Sequence, residues 1–397
     1  MIIKIDKLSH DFRGIARINE KVVFVSDTLP NEVANIKIVS EKKNYCIGKV
    51  INVITNSDDR VDSICPYFDR CGGCSTGYID YSNSLTYKRE IFKDIIKKYA
   101  NYDVNPEIIS NYKDYGYRNK ISLKVFNGKL ALSEEDSNNL VNIDKCYLVN
   151  DNINNVIISL NNINLDGLNE VIIRGTDDIM VILYGTINKD LIIDSLKDKV
   201  KSIVLNDVTI YGSDYIFIDV NNYKYAIYPK SFFQVNTDMI SKLYDKVLEY
   251  AGKGENLLDL YCGAGTIGIY LAKNFNSVRG IEINESAVLS ANLNKKINNI
   301  NNISFECKKA SDISNIYEDI VVVDPPRSGL DKNTVNILLS NNINKIIYVS
   351  CNPITLARDL NVLKDKYELK DMTLFDMFPN TKHVECVSLL HRKSFEK

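Results

Sequence analysis

The sequence predicts an α/β chain in three parts: a small all-β unit over residues 1–56, a mixed α/β unit over 57–229, and a parallel sheet flanked by helices over 230–397. Three observations carry this expectation. Short apolar runs separated by turn residues fill residues 1–54. Cysteines crowd at Cys65, Cys71 and Cys74, far upstream of the last helices. Behind residue 254, apolar strands alternate with helical stretches, the pattern of a doubly wound sheet.

Composition sets bounds. The chain has 397 residues, with 45% apolar and 25% charged side chains, which are globular values and exclude wholesale disorder. No apolar run approaches the roughly 18 residues that span a bilayer, and the start, MIIKIDKLSH, has no signal-like core. A cytoplasmic monomer with no membrane contact is expected. The net charge of −2 argues against a basic coat over the whole surface. The charge is uneven, however. Residues 1–130 hold 21 Lys and Arg against 16 Asp and Glu, and residues 131–397 hold 28 against 35. A basic front fits a cationic face at one end, although chance also produces such a bias.

The elements follow in order. KVVFVSD, VANIKIVS and Tyr45–Ile54 read as strands, with LPNE as a turn. About five strands in this length suit a small barrel of the oligonucleotide-binding (OB) type. TNSDDRVD at 55–62 is a polar linker. ICPYFDRCGGCSTG then carries the cysteine cluster. A helix over 81–99 follows, because Leu85, Phe92, Ile95, Ile96 and Tyr99 recur at helical spacing. Its solvent face is expected to carry Lys88, Arg89, Lys93, Lys97 and Lys98. Strands are expected at KISLKVF, VIIRGT, IMVILYG, KSIVLN and DYIFIDV. An amphipathic helix spans 236–252. Beyond it come NLLDLYC, SVRGIEI, ISFEC, DIVVVDPP and KIIYVSC as strands separated by helices, with HVECVSLLH as a closing strand at or near the sheet edge.

Several motifs sit where strands end. LLDLYCGAGTIGIYLA runs a strand into a turn at Gly263-Ala264-Gly265 that opens a helix, an arrangement that lets backbone approach a ligand. Glu282 ends the next strand and can accept hydrogen bonds from ribose hydroxyls. Gly263, Gly265 and Gly268 also give GxGxxG spacing, so spacing alone leaves a dinucleotide and S-adenosylmethionine both open. Asp324 ends the strand of VVVDPPRSGL. Arg327 stands where amino-group methyltransferases place an aromatic, which argues against methylation of an exocyclic nitrogen. Cys351 ends the strand of IIYVSCNP, where a thiol can act as nucleophile or as buried filler. Glu385 enters an apolar strand, and either a general base or a buried salt bridge explains it.

Taken together, FFQVN, LDLYCGAGT, DPPRSGL, SCNP and HVE, in that order, resemble the RNA uracil-C5 methyltransferase family over nearly the whole chain. The resemblance implies a Rossmann-like methyltransferase domain that binds S-adenosylmethionine. It places cofactor ligands at Gln234, Tyr261, Glu282 and Asp324, with the turn glycines Gly263 and Gly265. It places the nucleophile at Cys351 and the base at Glu385.

Cys65-x5-Cys71-x2-Cys74 with the distant Cys146 resembles the [4Fe–4S] ligands of the ribosomal-RNA members. Spacing alone leaves a four-cysteine zinc site open. It excludes the radical S-adenosylmethionine pattern. STGYID stands where the family often has Gln-His. Cys46, Cys262, Cys307 and Cys386 are read as structural. IARINEKVVFVSDTLPNE resembles the RNA-binding TRAM domain.

The chemistry explains the residue types. Uracil C5 is a poor nucleophile until a thiolate adds at C6. Cys351 would add there, C5 would take the methyl group, and Glu385 would remove the C5 proton. The base must leave its stack to reach the thiol. The implied substrate is a uridine of 23S rRNA. A T-loop uridine of tRNA, a non-catalytic RNA-binding assembly factor and a nicotinamide oxidoreductase are the alternatives.

Overall fold

The computed structural model describes residues 1–135 and 137–394. The first sheet has six strands, one more than expected, in the order Ile2–Lys4, Val33–Glu41, Tyr45–Thr55, Lys21–Val25, Gly14–Ile18, Lys7–Leu8. Its two outermost strands are the halves of one segment, residues 2–8. The first half pairs with Val33–Asn35 and the second with Gly14–Ile15. The sheet therefore closes on itself as a barrel. Ile5, Val23, Val25, Ala34 and Ile36 fill it.

The barrel is docked rather than tethered. Glu32, buried at its rim, accepts two hydrogen bonds from Arg60. Leu8, Phe12 and Leu29 of the barrel pack with Tyr78 and Ile79 from behind the cysteine cluster.

The helix Tyr81–Ala100 matches its expected span. The Asp80 side chain accepts the Asn83 N–H at the start, and Asn101 ends it in the left-handed region at φ 60°. Lys97 and Lys98 complement the carbonyl end. One expectation fails on this helix. Lys88, assigned to the solvent face, is 2% exposed. Its ammonium lies 2.6 Å from the Asp376 carboxylate, which is fully buried. Charge alone marked Lys88 as a surface residue. It lies three to four residues from Leu85 and Phe92, which places it on the apolar face.

The central sheet has seven strands, with Leu168–Gly175 between Lys120–Phe126 and Ile179–Gly185. The C-terminal sheet has eight, in the order Ile303–Cys307, Phe275–Glu282, Gly254–Leu260, Ile320–Val323, Lys345–Ser350, Glu385–Arg392, Tyr367–Phe375, Glu107–Ile109. The first five are mutually parallel.

Glu385–Arg392 is antiparallel to both neighbours and lies third from the edge of the sheet. Two strands of this sheet escaped the sequence reading, as did Lys129–Ser133, Leu140–Asn142, Val208–Gly212 and Tyr223–Ile227 upstream. Tyr367–Phe375 is broken by charged residues and a register shift near Lys370. Glu107–Ile109 comes from far upstream and forms the edge, parallel to Thr373–Phe375. Helix Tyr81–Ala100 packs Phe92, Ile95 and Ile96 on the same side, with Leu356 and Leu360 of helix Pro353–Leu363.

Candidate active site

In a doubly wound sheet, ligands bind outside the carboxyl ends of the strands, where strand order reverses. Here the reversal lies between Gly254–Leu260 and Ile320–Val323. Tyr261, Glu282, Asp324 and Cys351 all stand at that edge, at the ends of four parallel strands. The register places them side by side: Leu260 pairs with Ile281 and Val323, and Val323 with Tyr348. Glu385 joins from the opposite direction. Its strand runs antiparallel and pairs Cys386 with Ser350, so its first residue meets the last residues of its neighbour.

The glycine turn has two differently used positions. Gly265 sits at φ 76°, and a Cβ there would fall 2.5 Å from the Phe305 ring. Gly263 sits at φ 53°, and a Cβ there would meet nothing within 4 Å. Gly265 is thus fixed by packing, whereas Gly263 borders open space. Glu282 shapes the turn by accepting the Gly263 N–H at 3.1 Å and the Asn284 N–H at 2.8 Å.

Asp259, behind the turn, accepts the Gly268 N–H at 2.9 Å through one oxygen, and the other is buried without a partner. Burial pushes its carboxyl up to about 8, with Asp324 and Glu282 adding to the effect, and burial alone pushes Asp324 up to about 7. Three carboxylates around one turn, one with an orphaned oxygen, suit a cationic ligand carrying ribose hydroxyls. Gln234 is buried, and its backbone carbonyl accepts from the Asn119 side chain at 2.9 Å.

Cys351 is half-buried and lines a cavity of about 250 Å³ with Arg327, His383 and Val384. Burial, then the nearby Glu385 and Asp324 carboxylates, push its thiol up to about 11, while Arg327 pulls it down. Burial, with Asp324 adding, holds the Glu385 carboxyl well above the usual range, and Arg327 again opposes. Arg327 reaches His383 Nε2 at 3.3 Å. A guanidinium can only donate, so Nε2 accepts and the imidazole proton sits on Nδ1. Burial first, then Arg327, depress His383 to about 4, which keeps the ring neutral. The backbone oxygen of Arg327 is fixed by Asn352 Nδ2 and Thr355 Oγ1.

His10 and Asp11 from the barrel line this same cavity. Sequence reasoning assigned neither. Phe12, buried beside them at φ 64°, marks a constrained turn that only the backbone reveals.

Cys65, Cys71, Cys74 and Cys146 line a second cavity of about 340 Å³, with Arg118 and Asn380. Burial raises the Cys71 and Cys146 thiols and pushes Cys74 up to about 12. Among the described residues, no group of three or more His, Cys, Asp or Glu is gathered closely enough to hold a single metal ion. Of the cysteines read as structural, Cys46, Cys262 and Cys386 are buried, whereas Cys307 is exposed. No described helix is long and apolar enough to cross a membrane.

Comparison with known proteins agrees with this geometry. Residues 186–393 match the model of the tRNA (uracil-5-)-methyltransferase family, and residues 1–51 match the TRAM domain. An uncharacterized RNA methyltransferase of Staphylococcus epidermidis is 34% identical over 446 residues, covering 99% of this chain and 97% of its own. One from Halalkalibacterium halodurans is 32% identical, with 99% and 97% covered. Among solved structures, the Pyrococcus abyssi tRNA (uracil-54, C5)-methyltransferase in complex with S-adenosyl-L-homocysteine aligns with a TM-score of 0.83. It is 28% identical, and 98% of this chain and 100% of that one are covered.

Proposed function

The chain belongs to the RNA uracil-5-methyltransferase family, and from that premise we propose that it methylates C5 of a uridine in 23S rRNA with S-adenosylmethionine as donor. The observation that carries the reading is the convergence of Cys351, Glu385 and Asp324 at one end of the sheet.

In the proposed reaction the Cys351 thiolate bonds to uracil C6, and the C5=C6 pair moves toward O4. C5 then bonds the methyl carbon as the sulfonium S–CH3 bond breaks, releasing S-adenosylhomocysteine. Glu385 takes the C5 proton, the C5=C6 bond re-forms, and the C6–S bond breaks to return the thiolate. Both groups hold their protons tightly in this pocket, so each needs neighbouring positive charge. Arg327 supplies it, and a cationic donor beside Asp324 adds the same sign. Gln234, Tyr261 and Glu282, with the Gly263–Gly265 turn, are the donor's proposed ligands.

The RNA would approach from the barrel. The Cys351 cavity shares His10, Ile95 and Ile354 with a second cavity of about 260 Å³ along the seam between the barrel and helix Tyr81–Ala100. Lys7, Lys98 and the exposed Tyr99 lie on that seam and suit phosphates and an unstacked base.

We propose that Cys65, Cys71, Cys74 and Cys146, which line one cavity with the Arg118 guanidinium, would hold a [4Fe–4S] cluster. Its ligands stand farther apart than those of a single zinc ion. Such a group would cross-link distant segments, and methyl transfer calls for no electron from it. Iron and sulfide analysis after anaerobic purification decides this assignment.

A tRNA substrate is the second reading, favoured by the Pyrococcus neighbour. Mapping 5-methyluridine in rRNA and tRNA from cells lacking the gene decides between them. Loss at a 23S rRNA position supports the first reading. Loss confined to tRNA overturns it.

A further inference from the structure

The segment that delivers Glu385 to the active site is held from outside its own sheet. Between Phe375 and Glu385 the chain makes a loop, residues 376–384. Lys88 and Tyr81 of the long helix both donate to the Asp376 carboxylate. Lys88 also donates to the Phe378 carbonyl at 3.1 Å, and Tyr117 Oη donates to the Pro379 carbonyl at 2.9 Å.

Asn380 takes up the centre. Its carbonyl accepts the Ser75 N–H at 3.0 Å and the Thr76 N–H at 3.2 Å, and its side chain donates to the Asp114 carbonyl at 2.8 Å. The Lys382 N–H donates to Ser75 Oγ at 2.9 Å. Asn380 is buried and adopts φ 60°, a conformation that asparagine tolerates better than most side chains.

Ser75 and Thr76 directly follow Cys74, and Asn380 itself lines the four-thiol cavity. One wall of that cavity is therefore also the floor of the loop leading to His383 and Glu385. From Thr381 the coupling continues by short steps: the Thr381 hydroxyl accepts the His383 N–H at 3.3 Å, and the His383 ring meets the Phe378 ring edge-on at 6.0 Å.

We propose that Ser75 and Asn380 are positioning residues, through which the arrangement of the four cysteines fixes the placement of Glu385. This rests on the reading of Glu385 as the base. The four-thiol site then acts on the reaction mechanically, by holding the turn on which the catalytic loop is seated. The loop runs directly into Glu385, whereas Cys351 is anchored by the strand Lys345–Ser350 and meets the loop only where His383 and Val384 line its cavity, so displacement of the loop impairs proton removal more than thiolate addition.

The test has two independent readouts. Hydrogen exchange followed by mass spectrometry reports directly on the Ser75, Thr76 and Lys382 amides, which make the bridging bonds. In Cys74→Ser and Ser75→Ala, exchange over 380–384 is expected to rise while the barrel and the sheet strands stay protected.

In single-turnover assays with uridine RNA, Ser75→Ala is expected to lower the methylation rate by about 10-fold, within the range that slight misplacement produces. It should accumulate the Cys351–RNA adduct and leave RNA affinity within about twofold. Ser75→Thr retains the hydroxyl and should restore both. The proposal is overturned if Ser75→Ala leaves exchange at 380–384 unchanged, or if it slows adduct formation and release equally. If the wild-type protein forms no adduct with any RNA, the functional reading fails, while the exchange experiment still tests the coupling.

Discussion

Cys351 follows the carboxyl end of one strand and Glu385 begins the next, and they meet because those strands run antiparallel with Ser350 opposite Cys386. The proposed nucleophile and the proposed base, separated by more than thirty positions, thus share one end of the sheet. Removing either should stop turnover at a different stage. Cys351→Ala is expected to trap no 5-fluorouridine RNA. Glu385→Gln should lower turnover at least about 100-fold and accumulate a covalent adduct on ordinary RNA, seen as a band shifted on denaturing gels. Adduct formation by Cys351→Ala would refute the nucleophile assignment.

The thiol of Cys351, pushed up to about 11, is neutral at pH 7 in the free protein. Its raised value means that the thiolate fraction grows about tenfold per pH unit until pH approaches 11. Alkylation at Cys351, followed peptide by peptide, should track that slope. Arg327 pulls the thiol down, so Arg327→Gln should shift the profile to higher pH and slow alkylation at pH 8. An unshifted profile would remove Arg327 from the activation of the thiol.

The two turn glycines should respond differently to alanine. Gly265→Ala drives a methyl group into the Phe305 ring at a positive φ and should destabilise the fold by more than about 2 kcal/mol, read by denaturant midpoint. Gly263→Ala meets no protein atom and should cost only about 1–2 kcal/mol of backbone strain. Its main effect should be weaker S-adenosylhomocysteine binding in calorimetry.

Glu282 holds the Gly263 N–H and faces the same turn. Glu282→Gln should weaken S-adenosylhomocysteine binding by roughly tenfold, about 1.4 kcal/mol, with little change in melting temperature. Unaltered affinity would count against its proposed role at the ribose.

Lys88 and Asp376 form a buried ion pair that also receives the Tyr81 hydroxyl. Lys88→Met strands a carboxylate in the interior and should destabilise by about 3 kcal/mol. Lys88→Met with Asp376→Leu removes both charges and should recover part of that loss. A double-variant loss equal to the sum of the separate Lys88→Met and Asp376→Leu losses would mean that the pair is uncoupled.

The sheet and its active-site edge were legible in the sequence because motifs at strand ends carry both the turn chemistry and the reactive groups. The shared placement of Cys351, Glu282 and Asp324 needed only the knowledge that parallel strands end together, whereas their proposed roles came from the family resemblance. Lys88 was misplaced because its charge outweighed its position on the apolar stripe. Tyr367–Phe375 escaped because Glu368, Lys370 and Asp371 interrupt its alternation, and Glu107–Ile109 because three residues give no periodic signal. His10 and Asn380 matter through contacts with segments far away in the chain, and no local pattern encodes such a meeting.

The edge strand Glu107–Ile109 gives the order of synthesis a role. Its partner, Thr373–Phe375, leaves the ribosome more than 260 residues later, and Leu356 and Leu360, which cover Phe92, Ile95 and Ile96, emerge about 260 residues after the side chains they cover. The barrel can close as soon as Thr55 has emerged, but the helix beside it must wait with an uncovered apolar stripe until Leu356 and Leu360 have followed. A nascent chain stalled before residue 350 would carry a finished barrel and an unpartnered helix, the state in which a chaperone would find most to hold.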